Sequence, residues 1–316
     1  MPKPAEIRQQ VASELHRRAR LAVPAFAAGV LYLLSSIIIS STLNGAPTVG
    51  LLQGLAPAFS GVSEPPVSPR AGEVKFISHH ASPLVVGSLL AAVAIGVLTL
   101  ILLLLLDGAR FRRPETWPHA RLLVLVGGIG FAVVSVAHQI VSSIETHNFA
   151  TSSDHSISAV EQALTKGAAN QLVQYLSLFS GLALAAGMIV TAMAAQRVGL
   201  LPRWMGILGI FTGLLLFFPI GGAEFQIVPA FWLVMMGLLL MGRWPGGDPP
   251  AWESGEARPW PSAAQQRAER QAAAQPAAVA AGAAAPGAAN GVAEPVQPSR
   301  SQKRRQRRKG RGGRSR

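Results

Sequence analysis

The side chains in this sequence that could do chemistry are a few histidines and carboxylates in the first half of the chain. His138 lies within an apolar stretch, and a helix through it would carry Ser142 and Glu145 on the same face, at i+4 and i+7. Further candidate ligands are expected in the outer loops: His79, His80, His147, Asp154 and His155. Because imidazole and carboxylate groups suit transition metals, one hypothesis is a metal or haem site near the outer surface of a membrane.

His138 has a second interpretation, as a polar residue that bridges two helices. Ionisable residues inside membrane helices suggest function, but polar side chains there also commonly hydrogen-bond a neighbouring helix. The histidines follow no metalloenzyme spacing such as HExxH, and none recurs at a fixed offset on two predicted helices. The interhelical hydrogen bond is therefore the favoured interpretation, and no cofactor is predicted.

Catalysis finds little support in the remaining residues. Cysteine is absent, which excludes disulfides, thiolate catalysis and Cys-ligated metal centres. The run Gly127–Gly130 (GGIG) lies inside an apolar stretch and not between a strand and a helix, so it predicts a helix-packing surface and not a phosphate loop. Two further pairs have packing spacing, Gly181 with Ala185 and Gly209 with Gly213. The sequence favours a protein that is not an enzyme.

Transport is the first alternative function. Ion-coupled carriers usually place Asp, Glu, Lys or Arg inside their membrane helices. The predicted spans of this chain contain none of these residues, and Glu224 lies in a short turn between two of them. We therefore rank a membrane scaffold or partner-binding protein first, a small-molecule or ion carrier second, and an outer-face metal or haem protein third.

The elements that must hold these residues are long apolar helices. The chain has 316 residues, of which 50% are hydrophobic and 14% charged, against about 25% charged residues in soluble domains. Six stretches between residues 21 and 242 lack Asp, Glu, Lys and Arg: 21–63, 76–106, 122–144, 167–196, 204–223 and 225–242. About 20 helical residues cross the roughly 30 Å hydrocarbon core. The fold class predicted is an all-α, polytopic transmembrane bundle of about six spans.

The predicted spans are Leu21–Leu43, Pro83–Leu106, Leu122–Ser143, Leu172–Ala195, Trp204–Ile220 and Gln226–Met241. The last two are short and separated only by residues 221–225, which favours a tight helical hairpin over a re-entrant pair. Both arrangements return the chain to the side on which it started. Before the fourth span, Ser158 and Glu161 have the spacing of a capping box, so that helix is expected to project beyond the bilayer.

The distribution of Lys and Arg predicts the orientation. Residues 1–20, 107–121 and 196–203 carry 11 of these cations, whereas 44–82, 144–171 and 221–225 carry 3. Cytoplasmic loops are enriched in Lys and Arg, so both chain ends are expected in the cytoplasm of a bacterial cell, with the protein in its inner membrane. The apolar run after the basic start exceeds a typical signal-peptide core of about 7–15 residues, which favours an uncleaved signal anchor.

The predicted organisation has five parts: a basic cytoplasmic segment (1–20), a six-span domain (21–241), a juxtamembrane collar (242–261), an Ala/Pro-rich disordered linker (262–299) and a polybasic tail (300–316). In the collar, Trp244, Trp252 and Trp260 recur every eight residues. Tryptophan prefers the membrane–water boundary, so an interfacial collar is favoured over a docking strip for a partner. The linker has few large side chains to bury, which predicts disorder.

The tail carries ten basic residues and no acid: Arg300, Lys303, Arg304, Arg305, Arg307, Arg308, Lys309, Arg311, Arg314 and Arg316. Each basic residue near an anionic leaflet gains about 1 kcal/mol, so anionic lipid headgroups are the favoured partner. A solvated charged end without a dedicated partner is an alternative, and nucleic acid is a weaker one, since a charge run binds polyanions without specificity. No protein partner is specified.

Residues 196–261 resemble a family of uncharacterised bacterial six-span membrane proteins. The similar segments are 197–209 (RVGLLPRWMGILG), with Pro202 opening the fifth span, and 242–253 (GRWPGGDPPAWE), after the last span. A basic tail after an Ala/Pro-rich linker is also similar. The resemblance implies the six-span architecture, and because the family has no assigned activity it implies no active-site residues.

Overall fold

The computed structural model describes residues 4–48, 50, 68–217, 226–245, 247–260, 267 and 268. Within these ranges every regular element is a helix. The helices are α1 (Pro4–Asn44), α2 (Ala71–His79), α3 (Ala81–Arg112), α4 (Ala120–Thr151), α5 (Ile157–Glu161), α6 (Ala168–Val198), α7 (Arg203–Phe217), α8 (Ile227–Leu240) and α9 (Pro250–Ser254), with a π-helical turn at Gln162–Lys166. The predicted all-helical fold class is confirmed.

Four helical segments are long and apolar enough to cross a membrane: Ala5–Asn44, Ala81–Arg112, Ala120–Thr151 and Ile157–Val198. The last combines α5, the π-helical turn and α6, with a bend at Gly167, and the projection of the fourth span beyond a bilayer stays a prediction. Helices α7 and α8 have 15 and 14 residues, which corresponds to only about 22 Å of length each. Within the described residues, four apolar helices are thus long enough to cross a membrane, and the described parts of α7 and α8 are shorter.

Small residues let the helix backbones approach closely. A Cβ at Gly127 of α4 would overlap the backbone of Leu184 in α6, and a Cβ at Gly128 would overlap Thr99 of α3. A Cβ at Gly213 of α7 would lie 3.0 Å from the Ala185 carbonyl oxygen of α6. The packing role predicted for these glycines is confirmed, because small interface residues permit the close contact that drives helix association in membranes.

The two short helices pack along only part of their longer neighbours. In α8, a Cβ at Gly237 would lie 2.6 Å from the backbone nitrogen of Phe26, and one at Gly29 of α1 would lie 2.8 Å from the Ala230 carbonyl. Helix α1 continues 15 residues past Gly29 to Asn44, about 22 Å further. The described part of α8 therefore runs antiparallel to the middle part of α1, where Arg18 meets Leu240 and Gly29 meets Ala230.

The predicted basic segment is helical from Pro4 onwards, because α1 runs without interruption from Pro4 to Asn44. One local expectation was wrong. The helix before the π-helical turn is capped by Ser156 and not by Ser158: the Ser156 hydroxyl accepts a hydrogen bond from the Ala159 backbone N–H at 3.3 Å. The capping residue needs extended backbone, and Ser156 has it, with φ −64° and ψ 167°.

The chain divides into two compact units, Met1–Trp260 and Pro261–Arg316. The predicted linker (262–299), except for residues 267 and 268, and the ten basic residues of the predicted tail (300–316) lie outside the described residues. So do residues 51–67 and residues 218–225, which separate α7 from α8 in the sequence.

Candidate functional site at one end of the bundle

The candidate metal ligands do not converge. Among the described residues, no three His, Asp or Glu side chains are placed to hold a metal ion together. The His79, His138 and His147 side chains are exposed, so the interhelical hydrogen bond favoured for His138 is not the arrangement found. The half-buried Glu145 lies beside Gly167, where its carboxylate oxygen would be 3.4 Å from an added Cβ.

The remaining candidates have structural contacts. His80 stacks on Phe76 with ring centroids 4.0 Å apart, and its Nδ1 lies 2.9 Å from the Phe76 carbonyl oxygen. His155 packs edge-on against Phe149 at 5.1 Å. Asp154 accepts a hydrogen bond from the Ser156 backbone N–H at 2.9 Å, and this bond lowers the pKa of Asp154 below its ordinary value. These side chains order the loops between the helices.

Charged side chains are instead brought together where α1 begins and α3 ends. Glu14 and Arg112 form an ion pair with N···O 2.7 Å, and their side chains are 3% and 0% exposed. The Arg112 guanidinium donates to both Glu14 carboxylate oxygens, to the Gly108 carbonyl and, through two nitrogens, to the Ala251 carbonyl. A buried pair of charges is tolerated when such additional hydrogen bonds satisfy its polar atoms.

Arg18, one turn further along α1, binds the end of α8. Its guanidinium donates to the Leu239 carbonyl at 2.8 Å and the Leu240 carbonyl at 3.1 Å, which are among the last carbonyls of a helix that lack an intrahelical partner. It also pairs with Asp248 at 2.6 Å and lies 5.5 Å from the centre of the Trp252 ring. Arg18 thus connects α1, α8 and the segment after α8.

That segment, residues 247–260, is called the cap segment below. Trp252 is fully buried, and its indole N–H donates to the Leu200 carbonyl in the α6–α7 turn at 3.0 Å. Further along, the Arg258 backbone N–H donates to the Val198 carbonyl at 3.1 Å. Gly199 has φ +83°, and a Cβ there would overlap the Arg258 carbonyl oxygen, so only glycine permits this contact. The cap segment is therefore folded against the ends of the helices.

Both interpretations of the Trp repeat are wrong for Trp252, because a buried indole can neither line a membrane interface nor dock a partner. Trp244 does lie near the surface: it is half-buried and stacks on the exposed Trp204 at 5.3 Å. Trp260 is half-buried at the end of the cap segment. The eight-residue spacing therefore does not correspond to one shared environment.

Two adjoining clefts open at this same end of the bundle. One, of about 390 Å³, lies between the α3–α4 loop and the last turns of α6, and it is lined by Arg113, Trp117 and Arg197 among others. The second, of about 420 Å³, is lined by residues that include Arg203 and Trp260. Met193 and Arg197 line both clefts. Volumes of roughly 300–1,000 Å³ are usual for small-molecule sites.

The buried charges were not predicted, because Arg18 and Arg112 were counted only as loop cations and Glu14 does not enter that count. A local signal was present: Ile7, Val11, Glu14 and Arg18 recur at i, i+4, i+7 and i+11, which is one face of a helix. That periodicity predicts that α1 begins before its apolar run. The partners Arg112 and Asp248 lie 98 and 230 residues away, and no spacing rule reaches so far.

Comparison of the chain with protein-family models, with curated proteins and with solved structures finds no match. The resemblance of residues 196–261 to a bacterial membrane family stays a prediction.

Proposed function

We propose that this chain is a non-enzymatic scaffold of a bacterial cytoplasmic membrane, which holds a polybasic tail against an anionic surface. The observation that carries the proposal is the cap segment. Trp252, Arg18 and Arg112 hold it against the end of the bundle at which α1 starts, so the chain leaves the bundle from a fixed position beside its own N-terminal turns.

A membrane location is supported by the outer surface of the helices. Large apolar side chains are exposed on each long helix and on α7: Val23, Val93, Leu122, Val133, Phe179 and Ile207. Soluble monomers rarely expose extensive apolar surface, whereas lipid solvates it favourably. The biased Lys and Arg content of the loops supports the cytoplasmic assignment of the end that carries the cap segment.

Four long helices and one short hairpin are the proposed arrangement of the six membrane helices. The described parts of α7 and α8 lie beside the cytoplasmic halves of α6 and α1, where Gly213 meets Ala185 and Gly29 meets Ala230. These described parts are about 22 Å long and do not include residues 218–225, and the sequence favours a tight hairpin that crosses the membrane. A re-entrant pair that enters from the cytoplasmic side is the alternative.

An anchoring role is favoured over a carrier by the state of the polar groups. The buried charges Glu14 and Arg18 lie at the end of the bundle and are paired. Inside the bundle, the Thr99 and Thr212 hydroxyls donate to carbonyls of their own helices, and the buried Thr191 hydroxyl, which has no partner among the described residues, is uncharged. A cavity lined by Tyr32 and apolar side chains has a volume of about 10 Å³, roughly the space of one water.

The test uses the full chain in nanodiscs of neutral lipid, mixed with vesicles of phosphatidylglycerol or of phosphatidylcholine. We expect the intact chain to sediment with the phosphatidylglycerol vesicles and to be released by salt, since exposed charges are screened. The control variant keeps the tail length and replaces its ten basic residues by Gln. Equal sedimentation of this variant and the intact chain would overturn the proposal, as would release of the chain from lipid by RNA at equal phosphate concentration.

A further inference from the structure

The two adjoining clefts at the cap end combine arginines, indoles and an apolar floor. Arg113 follows the last residue of α3, Arg197 lies in the last turn of α6 and Arg203 is the first residue of α7. All three are exposed. Within the described part of the chain Arg113 has one carboxylate, Glu115, at 3.5 Å, and neither Arg197 nor Arg203 has an ion-pair partner.

The floor of the first cleft is apolar. Val190, Met193 and Ala194 line it from α6, and all three are half-buried. They precede Arg197 on α6, so this apolar surface lies on the membrane side of the arginines. In a molecule with an anionic head and an acyl chain, the head could therefore bind the arginines while the acyl chain lies along the apolar residues of α6.

The walls of the clefts are held in place by hydrogen bonds. Arg110 donates to the Trp117 carbonyl at 2.9 Å and to the Pro118 carbonyl, which fixes the α3–α4 loop. On the other side, the bond from Arg258 to Val198 positions Pro259 and Trp260 along the second cleft. The clefts are thus formed before a ligand arrives, which reduces the entropy lost on binding.

We infer that these clefts form a specific site for one anionic phospholipid, whose headgroup phosphate binds between Arg197 and Arg203 and whose acyl chain lies along the Val190–Ala194 surface. Guanidinium groups bind phosphate through paired hydrogen bonds, and basic pockets between membrane helices on the cytoplasmic side are suited to anionic headgroups. Trp117 and Trp260 flank the headgroup at the level that indoles favour. The inference rests on the proposed membrane architecture, but the site is separate from the polybasic tail.

The test uses the full chain in detergent with phosphatidylglycerol that carries a photoactivatable acyl chain. We expect crosslinks to peptides of α6 that include Val190–Ala194. The double variant Arg197→Gln/Arg203→Gln should raise the lipid concentration that gives half-maximal crosslinking roughly 25-fold, at about fivefold for each arginine. The matched control Arg8→Gln/Arg243→Gln removes two exposed arginines that do not line the clefts, and it should crosslink like the unchanged chain.

Three results would overturn the inference. One is equal crosslinking of the double variant and its matched control. Another is equal labelling by a phosphatidylcholine probe, and the third is displacement by millimolar glycerol phosphate, which would assign the clefts to a soluble phosphate. A separate experiment, extraction of membranes at alkaline pH, tests whether the chain is an integral membrane protein. A chain released by alkali refutes the membrane architecture, whereas a retained chain without the α6 crosslink refutes only the lipid site.

Discussion

Glu14 and Arg112 are 98 residues apart in the chain and form a bidentate ion pair from which solvent is excluded, with Oε1 and Oε2 at 3.0 and 2.7 Å from the two terminal guanidinium nitrogens. The pair connects the start of α1 to the end of α3. Because Arg112 also binds the Ala251 carbonyl, the same guanidinium holds the cap segment. One side chain thus joins three parts of the chain at the cytoplasmic end of the proposed bundle.

Replacement of one partner of this pair should be strongly destabilising. Arg112→Gln leaves the Glu14 carboxylate buried without its counter-charge, and we expect a loss of about 3–5 kcal/mol of unfolding free energy, measured by denaturant unfolding in detergent. The exposed pair Lys166–Glu161, with side chains 66% and 44% exposed, provides the control. Lys166→Gln should cost less than about 1 kcal/mol. Similar losses in the two variants would show that the buried pair does not stabilise the fold.

Trp252 should hold the cap segment through both its indole N–H and its ring. Trp252→Phe removes the hydrogen bond to the Leu200 carbonyl and should cost about 1–3 kcal/mol. Trp252→Ala also leaves a cavity and should cost about 3–5 kcal/mol. Thermal unfolding of the two variants in one detergent measures the difference. If Trp252→Ala unfolds at the temperature of the unchanged chain, the cap segment does not pack as described.

Two glycines with nearly equal φ angles allow the cost of backbone strain to be measured apart from the loss of a packing contact. Gly199 has φ +83° and Gly247 has φ +80°, but only at Gly199 would a Cβ overlap another residue, since Gly247 has nothing within 4 Å. Alanine should cost about 1–2 kcal/mol of backbone strain at either position. Gly199→Ala should in addition break the bond from the Arg258 N–H to the Val198 carbonyl. Hydrogen exchange of the Arg258 amide should rise in Gly199→Ala alone, and an equal rise in Gly247→Ala would contradict the contact.

The long helices were predictable because hydropathy is a local property. A run without charged residues marks a membrane helix whatever its neighbours, and each of the first four predicted spans lies within a long helical segment. Helix ends were less predictable. The predicted first span begins at Leu21, whereas α1 begins at Pro4, because charged residues end an apolar run but do not end a helix when other helices supply their partners.

The candidate site was largely outside the reach of the sequence. Metal ligation was inferred from His138 and the nearby histidines, but residue type and approximate position do not bring side chains together, and in the described residues they remain apart. The Arg18–Asp248 pair forms across 230 residues and depends on where α8 ends. The Trp repeat was visible, but the burial of Trp252 depends on a turn at Leu200 to which it is not adjacent in sequence.

The depth of the α7–α8 hairpin can be measured with a single thiol, because the chain has no native cysteine. If the hairpin is re-entrant, Glu224→Cys should not react with a membrane-impermeant maleimide added outside intact cells. Ser153→Cys, in the loop between α4 and α5, is the positive control because Ser153 is exposed. Reaction of Glu224→Cys at the rate of Ser153→Cys would establish two full crossings by α7 and α8.

The same chemistry tests the central claim, that the start of α1 and the cap segment lie together on the cytoplasmic side of a membrane. Ala12 in α1 and Glu253 in the cap segment are exposed, and each can be replaced by Cys one at a time. In intact cells neither Ala12→Cys nor Glu253→Cys should react with the impermeant maleimide, and both should react once the membrane is permeabilised. Reaction of Glu253→Cys in intact cells, with Ala12→Cys still protected, would contradict the account.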